Sequence, residues 1–520
     1  MKTPLLFCLT LALSVLGARA ADQPNIVFIL ADDQGFGDVT ALNPDGKIPT
    51  PNIDRIAKEG MIFTDAHTSS SVCTPTRYSV LTGRYHWRTR LQSGVLGGFS
   101  PPLIAKDRLT VAGFLKQQGY HTACVGKWHL GFNWPLKDGG TADDKGDFSG
   151  KFTDGWAVDY TGEIQNGPVD VGFDHYWGIS ASLDMPPYVY INDRVPTEPA
   201  TVEKAFHRKG PAAASFEAIN VLPDFTNEAV RYIGSRAEAA KDGKPFFLYF
   251  PLNAPHTPIL PAKEWQGKSG INIYADFTMQ VDATVGQVLK ALDENGLTEN
   301  TLIIFTTDNG CSPQANFPEL QAAGHEPSYI YRGHKADIFE GGHRVPFIVR
   351  WPGKVAPSSK SDQLVGQLDL MATCAEILGA ELPPTAGEDS VSFLPILLSK
   401  DEKPIRDHII SQSINGSFAI RDGQWKLALC PDSGGWSDPR PGKVDLATHP
   451  KVQLFDLASD PGEKSNLAEQ HPDRVEKMTA TLKELIRRGR STAGPDQAND
   501  VEITMIKSPP APKKKKAEKK

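Results

Sequence analysis

The sequence predicts an α/β protein: an α/β/α sandwich on a large, mostly parallel mixed sheet, followed by a smaller C-terminal α+β domain. Three observations carry this. Residues 25–30 (Asn-Ile-Val-Phe-Ile-Leu) and 302–306 are apolar with no polar alternation, as strands buried on both faces require. Between such runs lie segments of helical period, the alternation that lays helices over a parallel sheet. Beyond Pro404 the texture shifts to short strand candidates separated by turn residues. A chain of 520 residues has room for one large core and a second domain.

Taken in order, residues 1–20 read as an export signal. Lys2 precedes an apolar run over 5–16, and Ala18-Arg19-Ala20 has the small-x-small form of a cleavage site. That run is too short to span a bilayer and no later run is long enough, so no transmembrane anchor is expected. The expected product is exported, periplasmic or secreted, beginning near Ala21. A retained membrane anchor is the competing reading.

The 25–30 strand opens a domain expected over 21–403. Thr50-Pro51 starts a helix carrying Ile53, Ile56 and Ala57, closed by Gly60. Pro75 suits the first turn of a helix that begins at Cys73 and that Gly83 ends. Thr110 opens another, with Val111, Phe114 and Leu115, closed by Gly119. Strands follow at 121–125 and 244–250. Phe277, Val281, Val285, Val288 and Leu292 then keep helical spacing as far as Asn295-Gly296. The 302–306 strand runs into Asp308-Asn309-Gly310, and one more helix follows Asp369. The small domain, expected over 404–490, has strands at 408–411, 418–421, 425–429 and 453–456. Its closing helix carries Val475, Met478, Leu482, Leu485 and Ile486 on one face. Residues 491–520 read as a disordered, Lys-rich tail.

A net charge of -7 argues against nucleic acid as the main partner. Apart from Cys8 and Cys73, the cysteines are Cys124, Cys311, Cys374 and Cys430, and no C-x-x-C spacing points to zinc. Export would permit disulfides among these four; free core thiols are equally permitted.

The chemistry concentrates at predicted strand ends. Asp32-Asp33 directly follows the first strand, and Asp308-Asn309 directly follows another. Ligands of open α/β sheets bind outside the carboxyl ends of the strands, so the two pairs should converge on one pocket. Three carboxylates and an amide oxygen make an all-oxygen cage for a hard divalent cation such as calcium or magnesium. Either pair alone reads as a turn or a cap. Both together, beside a nucleophile candidate, favour a metal.

Cys73 at a helix N-terminus sits among free N–H groups, and an exposed cysteine there reads as a low-pKa thiolate. Arg77, one turn on, can reach back to it. Lys127 and His129 alternate by two, which on extended backbone sends both to one side. The lysine offers charge to an oxyanion and the histidine moves protons near neutral pH. His256, between Pro255 and Pro258, suits a precisely placed acid or a structural turn. Lys335 precedes Glu340-Gly341-Gly342-His343-Arg344, where Glu340 and Arg344 read as an ion pair.

Cys73-Thr74-Pro75-Thr76-Arg77, followed at once by Leu81-Thr82-Gly83-Arg84, resembles the signature of type I sulfatases, in which the cysteine is oxidised to Cα-formylglycine. The other segments match that family's landmarks in order, and Leu454-Phe455-Asp456-Leu457, Asp460-Pro461-Gly462-Glu463 and Asn466-Leu467 resemble its small-domain motif. The resemblance covers nearly the whole mature chain. It implies an alkaline-phosphatase-like fold and hydrolysis of sulfate esters on a sulfated saccharide or aryl sulfate. It implies one calcium ion held by Asp32, Asp33, Asp308, Asn309 and formylglycine from Cys73. Arg77 would brace the aldehyde hydrate, Lys127 and Lys335 would hold sulfate oxygens, His129 would stand at the hydrate and His256 would face the leaving group. Ser182 is the match for a sulfate-side serine, with Ser180 competing. His334 stands where relatives carry glycine. The implied partner is a formylglycine-generating or anaerobic sulfatase-maturing enzyme.

Two rivals remain. A phosphatase or phosphodiesterase of the alkaline phosphatase superfamily would use a Ser or Thr nucleophile and two zinc ions, which Cys73 disfavours. A non-catalytic glycan-binding relative is disfavoured by the complete residue set. Around the site, Trp156, Tyr160, Trp177, Tyr188 and Tyr190 either stack on sugar rings or fill the core.

Overall fold

The computed structural model describes residues 23–142, 154–400, 403–445 and 450–507. The expected export signal and the lysine-rich end of the tail lie outside the described residues. The strands of the main sheet, in chain order, are β1 (Asn25–Asp32), β2 (Met61–Phe63), β3 (His121–Lys127), β4 (His175–Ile179), β5 (Ile191–Asn192), β6 (Val195–Pro196), β7 (Phe246–Pro255), β8 (Thr301–Thr307), β9 (Phe347–Arg350) and β10 (Ser359–Ser361). They lie in the order β10-β2-β9-β8-β1-β7-β3-β4-β5-β6.

The middle five, β8-β1-β7-β3-β4, are all parallel. β1 is therefore flanked on both sides and buried along its whole length. That is why its sequence shows no alternation. The pairings of β9 with β8, β9 with β2 and β5 with β4 are antiparallel, which makes the sheet mixed at its margins.

The helices used below are α1 (Pro51–Lys58), α2 (Cys73–Thr82), α3 (Val111–Gln117), α4 (Val221–Lys241), α5 (Ile273–Glu294), α6 (Glu340–His343), α7 (Leu370–Ile377) and α8 (Pro472–Arg488). Contacts sort the longer ones into two layers. α5 packs against α1 and α4, while α2, α3 and α7 pack on one another. The sandwich follows.

The second sheet is a four-stranded antiparallel ladder, β11 (His408–Gln412), β12 (Phe418–Asp422), β13 (Trp425–Ala428) and β14 (Gln453–Asp456). α8 covers it through Met478, Leu482 and Leu485, which share a core with Ile410, Ile420 and Leu427.

Two departures from the sequence reading stand out. No element is expected over 221–241, yet α4 is a long helix there. Pro223 falls in its first turn, where a missing N–H costs nothing, and Gly234 is tolerated by tertiary packing. Residues 491–507, expected as the start of a disordered tail, are instead held against the main domain. Arg84 pairs with Asp500 at 2.9 Å, and Arg88 Nη1 donates to Asn499 Oδ1 at 2.9 Å. A short polar stretch with no hydrophobic run gives no signal of such docking. Cys73, Cys124, Cys311, Cys374 and Cys430 are all buried and free.

Candidate active site

The topology delivers the predicted residues to one place. Asp32 is the last residue of β1, and Asp308 follows β8, its parallel neighbour. Lys127 is the last residue of β3, and His256 follows β7. α2 starts at Cys73 and ends as expected, with Gly83 in the left-handed conformation at φ 62°.

The contacts are direct. Lys127 Nζ lies 2.6 Å from Asp32 Oδ2. Lys335 Nζ donates to both oxygens of Asp33 at 2.6 and 2.7 Å and stands 3.8 Å from Cys73 Sγ. Asn309 Nδ2 donates to Asp33 Oδ1 at 2.7 Å, and His256 Nε2 is 3.7 Å from Asp33 Oδ2. Asp32, Asp33, Cys73 and His256 present ligand atoms that all lie within 4.8 Å of one another.

Arg77 behaves differently from the expectation that it reaches back to Cys73. Its Nε and Nη2 donate to Asp308 Oδ2 at 3.1 and 2.7 Å, and its Nη1 donates to the Lys127 carbonyl. It is wholly buried, and its visible role is to anchor the acidic pair.

Burial decides the electrostatics at Cys73. Despite the helix N-terminus and two nearby lysines, desolvation pushes the thiol up to about 12, so the exposed low-pKa thiolate reading is corrected. An unmodified Cys73 is a poor nucleophile here. Burial raises Asp308 to about 7, with the Asp32 charge adding to the rise. For Asp32, burial pushes upward, but Lys127, His256, Arg77 and Lys335 together outweigh it and hold the group below the usual carboxylate range.

The two histidines have defined tautomers. His129 Nε2 must donate to the Leu96 carbonyl at 2.8 Å, which leaves Nδ1 buried and without a protein partner. Burial first, then Lys127 and Arg77, holds this imidazole well below its ordinary pKa and therefore neutral. The extended-backbone argument that paired it with Lys127 is corrected: His129 has φ 58°, in the left-handed region. His256 Nδ1 donates to the Thr257 carbonyl at 2.6 Å and leaves Nε2 facing Asp33. Burial, followed by Lys335, lowers its pKa as well.

Asp32 Oδ1 and Asn309 Oδ1 are buried without a hydrogen-bond partner. Buried polar oxygens are normally satisfied. Together with the oxygens of Asp33 and Asp308 they form a donor set that suits a hard divalent cation.

Ser180 and Ser182 both carry buried hydroxyls without partners. Ser180 is tied to the site by its carbonyl, which accepts from His129 N–H at 3.0 Å, whereas no bond joins Ser182 to the other site residues among the described residues. The Lys335 loop places positive φ at Gly333 and Ala336 rather than at His334. His334 is thus accommodated without strain. Of the aromatic candidates, Trp156 is 40% exposed, while Tyr160 and Tyr188 are core and Trp177 stacks on Tyr190 at 4.6 Å.

A second cluster was not legible in the sequence beyond its Glu340–Arg344 pair, found at 3.2 Å. His67, Glu340 and His343 meet in a second buried cluster, but Lys426 from β13 packs into it, 3.0 Å from both Glu340 Oε1 and His343 Nε2. Glu463 pairs with the same lysine at 2.8 Å. The ammonium occupies the position a metal would need. The network ties the small domain to α6, and the α6 residue Gly342 accepts the Gly310 N–H through its carbonyl at 3.0 Å.

Comparison with known proteins adds the following. Residues 24–380 match the Sulfatase family, and residues 334–429 match the family described as N-sulphoglucosamine sulphohydrolase, C-terminal. The chain is 35% identical to N-acetylgalactosamine-6-O-sulfatase of Bacteroides thetaiotaomicron, over 89% of this chain and 93% of the relative. It is 32% identical to arylsulfatase A of Bos taurus, over 92% of this chain and 90% of the relative. A solved structure from work on glycosaminoglycan metabolism by Bacteroides thetaiotaomicron superposes with a TM-score of 0.75 at 33% identity, covering 89% of this chain and 99% of that one.

Proposed function

Because this chain belongs to the sulfatase family and is a sulfatase enzyme, we propose that it is exported and hydrolyses sulfate esters of a sulfated carbohydrate, with Cys73 as the precursor of a formylglycine nucleophile and one calcium ion beside it. The supporting observation is that Asp32, Asp33 and His256 gather at Cys73, with Asn309 bonded to Asp33 and Asp308 tied to Asp32 through Arg77, and that two buried oxygens are left unpartnered. The names of relatives acting on sulfated sugars support the saccharide class.

Asp32, Asp33, Asp308 and Asn309 would hold the calcium, which supplies Lewis-acid stabilisation of charge on the sulfuryl oxygens. A maturing enzyme would convert the Cys73 –CH2SH to –CHO by a two-electron oxidation, its own oxidant taking the electrons and the sulfur leaving as sulfide, and the hydrate of that aldehyde would supply an oxygen nucleophile.

The rest of the chemistry belongs to side chains of this chain. Lys335 and Lys127 neutralise the incoming sulfate, the term expected to dominate catalysis. His256, its Nδ1–H held by the Thr257 carbonyl, presents Nε2 to the leaving oxygen; it serves as the acid there in its doubly protonated form, with the Asp33 carboxylate facing the imidazolium. His129, neutral and with Nδ1 free, accepts a proton beside position 73. The low exposure of every one of these groups excludes water and strengthens the charge interactions.

The test is a panel of defined sulfated saccharides, run beside phosphate monoesters, with product mass followed. Sulfate release in preference to phosphate release is expected. Phosphate release without sulfate release would favour the phosphatase reading instead.

A further inference from the structure

Asp33 has φ 70°, a left-handed backbone that a non-glycine residue adopts only when its surroundings hold it there. The holding is visible. Tyr274 on α5 is fully buried, with its hydroxyl 3.1 Å from the Asp33 carbonyl and 2.5 Å from Asp38 Oδ2. Asp38 is itself fully buried, and its Oδ2 also accepts the Gly35 N–H at 2.6 Å. Its other oxygen accepts from His325 Nε2 at 2.7 Å. The Lys47 N–H occupies His325 Nδ1 at 3.0 Å, so the proton of that imidazole is on Nε2.

The turn between Asp33 and Asp38 has no slack. A Cβ on Gly35 would meet the Pro327 carbonyl at 2.2 Å, and one on Gly37 would meet the Glu326 carbonyl at 1.9 Å.

We propose that Tyr274 and Asp38, backed by His325, are positioning residues that lock the left-handed backbone of Asp33 and so aim its carboxylate into the cation cage. Among the described residues, none of the three hydrogen-bonds to Cys73, Lys127, His129 or His256. Their direct link to the cage is Asp33; Tyr274 also touches Cys311, whose carbonyl accepts the Lys335 N–H at 2.9 Å. The inference rests on the calcium reading above.

The experiment is calorimetric titration of the chelator-stripped full chain with calcium chloride, for wild type, Tyr274→Phe and Asp38→Asn. Both variants should bind calcium about 10- to 100-fold more weakly, the usual cost of losing an outer partner of a ligand. Near-native KM for the sulfate ester and recovery of kcat at saturating calcium are also expected, an outcome that a merely structural defect does not produce. Where Asp38→Asn fails to fold, His325→Gln, one bond further out, should show a smaller loss in the same direction. Folded variants whose calcium Kd stays within about twofold of wild type overturn this inference and leave the calcium reading intact. A wild-type chain that binds no calcium overturns both.

Discussion

Asp32 and Asp308 share one guanidinium: Arg77 Nη2 lies 3.7 Å from Asp32 Oδ2 and 2.7 Å from Asp308 Oδ2. Two carboxylates so close repel, and the shared guanidinium, together with Lys127 on Asp32, offsets that repulsion and lets both sit buried. Replacing Arg77 with Ala should therefore unfold the site before it alters any contact to substrate. About 3–5 kcal/mol of stability should be lost, as when one partner of a buried pair is removed. Urea unfolding of wild type and Arg77→Ala, both chelator-stripped, measures it.

Lys335 should matter chiefly to turnover. It stands between Asp33 and Cys73, where a transferring sulfuryl group would gather charge. Lys335→Ala should lower kcat/KM by about 10²–10³, the usual cost of one charge-stabilising donor. Steady-state kinetics on a small aryl sulfate check this.

Much of this site was legible in the sequence because strand ends announce themselves. The apolar runs of β1 and β8 stop at acidic pairs, and parallel topology then brings those pairs together. Helix α2 was equally plain, with Pro75 early and Gly83 at its end. What stayed hidden depends on partners far away in the chain. The β9 and β2 strands are short and pair antiparallel at the sheet margin. Tyr274 reads as one more apolar residue of an amphipathic helix, and nothing local marks it as reaching Asp33. The charge network around Lys426 joins residues from three separate segments, and each looks like an ordinary surface charge on its own.

That network yields a prediction about the small domain. Lys426→Met leaves Glu340 and Glu463 buried without their shared cation. A loss of about 3–5 kcal/mol is expected, together with loss of activity, because α6 supports Gly310 beside Asn309. Thermal unfolding and sulfate release, measured on the same preparation, test both parts.

Acid sensitivity should have one contribution remote from the site. His86 is buried, with Nε2 2.8 Å from Gln412 Oε1, and desolvation lowers its pKa to about 3. The unfolded chain, with an ordinary histidine pKa, binds this proton more readily than the folded one. The stabilising contribution is thus complete above about pH 6.5 and falls as pH drops toward 3, by on the order of 4 kcal/mol in total. Wild type should lose more stability than His86→Gln between pH 7 and 5, and urea midpoints at the two pH values measure the difference.

The most direct measurement is the mass of the peptide containing position 73, taken from protein co-expressed with a maturing enzyme and read beside sulfate release from the same sample. Conversion of –CH2SH to –CHO should rise in step with activity, and Cys73→Ser should abolish sustained turnover. Full sulfatase activity from a chain whose Cys73 remains an unmodified thiol would contradict the account.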